Sequence, residues 1–94
     1  MKLRYTAYAR DNIANIRSYI SQHNPQAALR VVCHIRQQVE LLCDYPNLGK
    51  EGRCEGTREL IISLYPYIVA YRIESNEVQV LAVIHTSTMW PETI

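Results

Sequence analysis

Gly56-Thr57-Arg58-Glu59-Leu60, Pro66-Tyr67, Tyr71-Arg72, Val80-Leu81-Ala82-Val83-Ile84-His85 and Trp90-Pro91 follow one another in the stretch that decides the fold. Three runs within it read as strands, over residues 58–64, 67–74 and 77–85. Their apolar and polar residues follow the two-residue period of a pleated chain. Ser75-Asn76 separates the last two runs, a connection short enough for a β-hairpin. In the final run Val78, Val80, Ala82 and Ile84 fall on one face, and Leu81 and Val83 on the other. Apolar residues on both faces imply helices over one side and partial cover on the other.

Upstream, residues 47–57 read as a polar loop that holds all three glycines, Gly49, Gly52 and Gly56. Tyr45-Pro46 closes a helix before it, because a residue preceding proline avoids the helical region. That helix carries Ala28, Val32, Ile35, Val39 and Leu42 at alternating steps of four and three, which draws one apolar stripe. Asn24-Pro25 starts it, with asparagine as N-cap and proline in the first turn. An earlier helix begins near Ala7 under a Thr6 cap and carries Ala9, Ile13, Ile16 and Ile20. Two striped helices a few residues apart form an antiparallel hairpin. Residues 1–5 alternate, Leu3 and Tyr5 against Lys2 and Arg4, as a short half-buried strand does. The order β-α-α-β-β-β predicts an α+β domain over residues 1–94, a helical hairpin on a small, largely antiparallel sheet.

With 94 residues the core is modest, and each buried side chain counts. The charge balance is 10 basic against 9 acidic side chains, net +1. A protein that binds nucleic acid by itself needs a clear basic excess to neutralise phosphates, and that excess is missing. Cys33, Cys43 and Cys54 are odd in number and widely spaced, which suits neither a disulfide scaffold nor a zinc site. Cys33 and His34 are neighbours, so on a helix they point about 100° apart. The cysteines read as buried free thiols in a reducing cytoplasm. Charged residues interrupt every apolar run, with no signal peptide and no membrane span. A cytoplasmic protein follows, with no membrane partner, no metal and no other cofactor.

The same ordered set of residues resembles the C-terminal half of the RelE/ParE toxins of bacterial toxin–antitoxin pairs. The likeness extends over nearly the whole chain. Tyr19-Ile20, Asn24-Pro25 and Ala27-Ala28 resemble the hairpin corner of the ParE-like branch. Leu48-Gly49, Gly52-Arg53 and Gly56-Thr57-Arg58-Glu59-Leu60 resemble its loop and first long strand. What the resemblance implies is a growth-inhibiting toxin, of the kind linked to plasmid stabilisation, held silent by a cognate antitoxin encoded beside it. Operator DNA would be bound through that antitoxin. RelE-like members cut messenger RNA in the ribosomal A site, whereas ParE-like members poison DNA gyrase.

Chemistry separates the two branches. RNA cleavage without a metal needs a base for the 2′-hydroxyl, an acid for the leaving oxygen and a cation for the charged intermediate. RelE-like nucleases place an arginine after the tyrosine that begins the central strand, where this chain has Ile68 after Tyr67. Their basic residues at the end of the last strand are replaced by His85-Thr86-Ser87-Thr88, and their C-terminal tyrosine or histidine by Trp90-Pro91. ParE-like chains usually carry an arginine and an acid between the histidine and the tryptophan, where this chain has serine, threonine and methionine. The resemblance implies a ParE-like toxin with DNA gyrase as target, and not an enzyme. The alternatives are a ribosome-dependent messenger-RNA endonuclease built on His85, Arg72 and Lys50 or Arg53, or a degenerate toxin that keeps only antitoxin binding.

Each candidate also has a structural reading. His85 suits acid–base work, or it packs beside Trp90 or caps its strand. Arg72 suits a phosphate, or it pairs with Glu59 across the strands. Lys50, Arg53 and Arg58 are balanced by Glu51, Glu55 and Glu59, a mixed surface. Tyr65 and Tyr67 flank Pro66 as amphipathic packing or as partner contacts. Trp90 reads as an anchor on the sheet or under an antitoxin. Tyr65, Tyr67 and Trp90 are therefore the partner-binding candidates.

Overall fold

The computed structural model describes residues 1–91; the last three positions of the expected 1–94 span lie outside the described residues. Strand β1, Lys2–Tyr5, half-buries Leu3 and Tyr5. Thr6 follows in extended backbone, and its hydroxyl accepts the Ala9 N–H at 3.1 Å. That cap starts α1, Ala7–Ser21, which buries Ala9 and Ile13 and packs Ile16 and Ile20 against the core edge. Asn24 Oδ1 accepts the Ala27 N–H at 3.0 Å and starts α2, Pro25–Glu40, with Pro25 in its first turn. A 3₁₀ turn, Leu41–Cys43, continues α2 and buries Leu42. Val31 joins the expected stripe as a further buried position.

The loop after it is not wholly irregular. Lys50–Glu51 forms a two-residue strand, β2, with Lys50 opposite Glu59 and Glu51 opposite Arg58 of β3, Arg58–Ile61. The first of the three runs stops short of residue 64, where Leu64 takes φ 78°, a left-handed conformation that no strand continues through. Strands β4, Tyr67–Glu74, and β5, Glu77–His85, pair antiparallel. Ser75 and Asn76 sit at φ 53° and 58°, the paired left-handed residues of a type I′ hairpin turn. The sheet order is β1-β5-β4-β3-β2, antiparallel throughout except that β1 runs parallel to β5. The helical hairpin covers one face in an α+β arrangement. Its core joins Ile13, Ile35, Val39 and Leu42 to Val69, Tyr71, Val78 and Val80.

One expectation about β5 is corrected. Ala70 stands opposite Ala82 but Tyr71 opposite Val80, so Leu81 is an extra residue in the ladder. An inserted residue inverts the alternation beyond it. Val83, not Ala82, therefore joins Val78 and Val80 under the helices, while Ala82 and Ile84 turn to the far face with Ala70 and Trp90. The first helix satisfies backbone groups at this irregularity. Asn12 Oδ1 accepts the Val83 N–H at 2.9 Å, and the Thr6 hydroxyl donates to the Leu81 carbonyl at 3.2 Å.

Tyr71, fully buried, pins the turn that leaves the helices. Its hydroxyl donates to the Pro46 carbonyl at 2.7 Å and accepts the Gly49 N–H at 2.9 Å. A β-carbon at residue 49 would lie 2.7 Å from that ring and 2.9 Å from the Glu59 carbonyl, so only glycine fits. The thiols are free, yet Cys33 is exposed and Cys43 and Cys54 half-buried, contrary to the expectation of burial. Each lies off the apolar stripe. Among the described residues no helix is long and apolar enough to cross a membrane.

Candidate functional site

His85 ends β5 opposite Tyr67, whose ring it meets edge-on at 5.3 Å. Its Nδ1 accepts the Ser87 N–H at 3.1 Å and lies 2.7 Å from the Ser87 hydroxyl. The histidine therefore caps its strand. The other half of the bland expectation, packing beside Trp90, is overturned, because Trp90 seats on the opposite face of the sheet.

There Trp90 covers Ala70, Ala82 and Ile84, and the Arg53 guanidinium stacks 3.7 Å from its ring centre. Arg53 also grips the buried Glu59. Its Nε and backbone N–H both donate to Glu59 Oε2, at 3.0 and 2.8 Å, and a terminal nitrogen donates to Oε1 at 3.3 Å. Burial alone would raise the Glu59 carboxyl, but the side-chain and backbone hydrogen bonds from Arg53 outweigh it and hold it below its ordinary value.

With Glu59 taken, Arg72 does not pair with it as expected. The register puts Gln79 opposite Arg72 and leaves Glu59 opposite Ala70. Arg72 Nε donates to Gln79 Oε1 at 2.7 Å and meets Glu74 at 3.1 Å. The chain of contacts continues from Gln79 to Glu77 at 2.7 Å and from Arg4 to Glu77 at 3.0 Å. Hydrogen bonds from Gln79, then Arg4, lower the Glu77 carboxyl.

These placements separate the four candidates for RNA cleavage. Cross-strand partners share a face. His85 and Tyr67 lie on the helix-covered side, whereas Arg72, in line with Ala70, and Lys50, opposite Glu59, lie on the other. His85 stands opposite Tyr67, five residues along β4 from Arg72, which is about 17 Å of strand. Arg53 is committed to Glu59 and Trp90, and Lys50 is exposed on β2. Among these four candidates no acid, base and cation converge.

The aromatic candidates divide as well. Tyr65 packs edge-on against His34 at 5.4 Å, half-buried, and Trp90 lies on the far face. Tyr67 is buried in the wall of a cleft of about 490 Å³ between α1 and the end of β5. Exposed Tyr8, Tyr19 and Met89 line it, with Asn12 and Asn15. The sequence reading missed this α1 face, although Tyr8, Asn12, Asn15 and Tyr19 recur at steps of four, three and four, a second stripe beside the apolar one.

The family model for the ParE toxin of type II toxin–antitoxin systems, parDE, matches residues 3–90. A relative from Sinorhizobium fredii, named "Putative toxin Y4kP", is 40% identical over 99% of this chain and 96% of its own. Toxin RelE2 of Caulobacter vibrioides is 27% identical over 90% of this chain and 94% of its own. A solved chromosomal ParDE toxin–antitoxin system from P. aeruginosa superposes with a TM-score of 0.83 at 26% identity, covering 93% of this chain and 97% of that one. A chain of the RelBE2 toxin–antitoxin complex from Mycobacterium tuberculosis shares the fold at a TM-score of 0.62 and 24% identity, over 89% and 95% of the two chains. The family match over almost every described residue, joined to a 40% identical full-length relative, places this chain in the ParE toxin family of type II toxin–antitoxin systems, within the RelE/ParE superfamily.

Proposed function

We propose that this toxin acts by binding DNA gyrase, breaks no bond itself, and is silenced by a cognate antitoxin that in turn binds operator DNA. The observation that carries the mechanism is the division of His85 from Arg72 and Lys50 by the sheet itself. A nuclease of this kind depends on converging acid, base and cation. The near-neutral charge supports the same reading, since docking on ribosomal RNA favours a more basic surface. The antitoxin follows from the family and from the ParDE pairing of the P. aeruginosa relative.

Partner contact is proposed for the three aromatic candidates, and Tyr67 has the best support. It walls a cleft whose rim, Tyr8, Tyr19 and Met89, is 50%, 69% and 91% exposed. Apolar surface of that kind suits a segment that folds as it binds. Tyr65 would contribute from the β3–β4 loop beside His34 of α2, and Trp90 from the far face.

Induction of the chain alone tests the function. Growth should slow, DNA replication should stop before protein synthesis, and purified protein should inhibit gyrase supercoiling. Co-expression of the neighbouring reading frame should restore growth. Codon-phased transcript cuts within minutes of induction would support the endonuclease reading instead. Unimpaired growth at verified soluble expression would support a degenerate toxin.

A further inference from the structure

The side of the helical hairpin away from the aromatic cleft carries a second groove, of about 430 Å³, between α1 and α2. Arg10, Ala14, Arg17 and Ser21 line it from α1, and Val32 and Arg36 from α2. Ile13 closes the floor. Arg10 and Arg17 are seven residues apart, about 10 Å along the helix. Arg36 reaches over the Tyr5 ring at 5.5 Å, which steadies its guanidinium at the groove wall.

What distinguishes this groove is charge left unmatched. No carboxylate lines it. Elsewhere Arg4, Arg53 and Arg72 are held in ion pairs, and Arg58 donates to the Gly49 carbonyl at 2.7 Å. Among the described residues Arg10, Arg17 and Arg36 have no ion pair. Asp11 follows Arg10 in sequence and projects about 100° away around the helix, and Glu40 lies one turn beyond Arg36, outside the lining. A molecule of net charge +1 thus concentrates on one small concave surface three cations that have no ion pair among the described residues.

We infer that the groove of Arg10, Arg17 and Arg36 docks an acidic amphipathic helix of the antitoxin, its apolar side on Ile13, Ala14 and Val32 and its carboxylates on the arginines. The inference rests on the toxin–antitoxin reading and adds the site and the partner's chemistry. A helix lying in a groove needs an apolar floor as well as charge, whereas a phosphate backbone is held by cations alone. The apolar floor decides for protein. Such charges govern partner choice and encounter rate more than bulk affinity. The groove therefore selects one antitoxin among others, while the aromatic cleft supplies apolar area.

The test uses the intact purified chain and the purified product of the adjacent reading frame, titrated by calorimetry at low and high salt. Arg10→Glu with Arg17→Glu should weaken binding about 100-fold, because like charges would then face each other. Arg10→Gln with Arg17→Gln, the milder pair, should cost about tenfold and flatten the salt dependence. Both pairs should melt like the parent and still arrest growth. Arg30→Glu, on α2 outside the groove, should bind within a few-fold of the parent. Binding of the glutamate pair at parental affinity would overturn the assignment. So would tight binding of a duplex oligonucleotide that the pair alone loses, which makes the groove a nucleic-acid site. A neighbour that fails to bind the parent chain overturns the toxin–antitoxin reading, and this inference with it.

Discussion

Glu59 keeps its charge in the interior because Arg53 supplies three hydrogen bonds to it. The sign of its effect on stability follows from linkage. Its carboxyl is lowered in the fold from a reference of 4.5, so the stabilisation is complete above that pH. It is lost as pH falls through the lower folded value. Glu59→Gln should therefore lower the melting temperature at pH 7 and flatten its dependence on pH below 4.5, measured by calorimetry. An unchanged acid limb would show that Arg53 does not hold the charge. Tyr71 makes a similar point without charge. Tyr71→Phe strands the buried Gly49 N–H and the part-buried Pro46 carbonyl, and leaving them unpaired should cost about 1–3 kcal/mol in denaturant unfolding. Neither residue's role was legible in the sequence. Pattern reading reports which face a side chain takes, whereas Arg53 reaches Glu59 of β3, and Trp90 reaches Arg53, from loops that have no period.

The two helices were legible because capping and stripe agree at each. Thr6 and Asn24 cap as expected, and Ile35 and Val39 are fully buried. Val39→Asp should abolish the cooperative transition, since an unpaired buried charge costs several kcal/mol, about the whole margin of a small domain. A soluble mutant that melts cooperatively would contradict the packing. The faces of β5 were legible only up to Leu81. Alternation fixes parity along one strand, but a bulge is a property of the pair and appears only when the partner's register is known. Deleting Leu81 should restore alternation and turn Val78 and Val80 out of the helix-side core, with loss of folding by circular dichroism. Strand β2 escaped for a simpler reason. Its two residues are both exposed, so burial leaves no mark on them.

On the scale of the whole molecule, chemistry and binding make different demands on one histidine. His85→Ala should leave growth arrest within a few-fold of the parent in a folded protein. A general acid or base contributes about 10²–10⁴-fold in rate, so its loss from a nuclease would be conspicuous. Arrest abolished by this change, with transcripts no longer cut, would return the protein to the RNA-cleaving branch. The parallel seam between β1 and β5 bears on a different matter, which is time. Lys2 finds its partner only at Glu77, and Tyr5 only at Val80. Helix α1, too, lies against β5 and binds its backbone at Val83. At synthesis rates of about 5–20 residues per second, the first strand waits on the order of ten seconds for its neighbour to be made. Until then the nascent chain has hairpins but no sheet to close. Its folded shape is acquired only once β5 has been made, and the cell has that interval before the sheet can form.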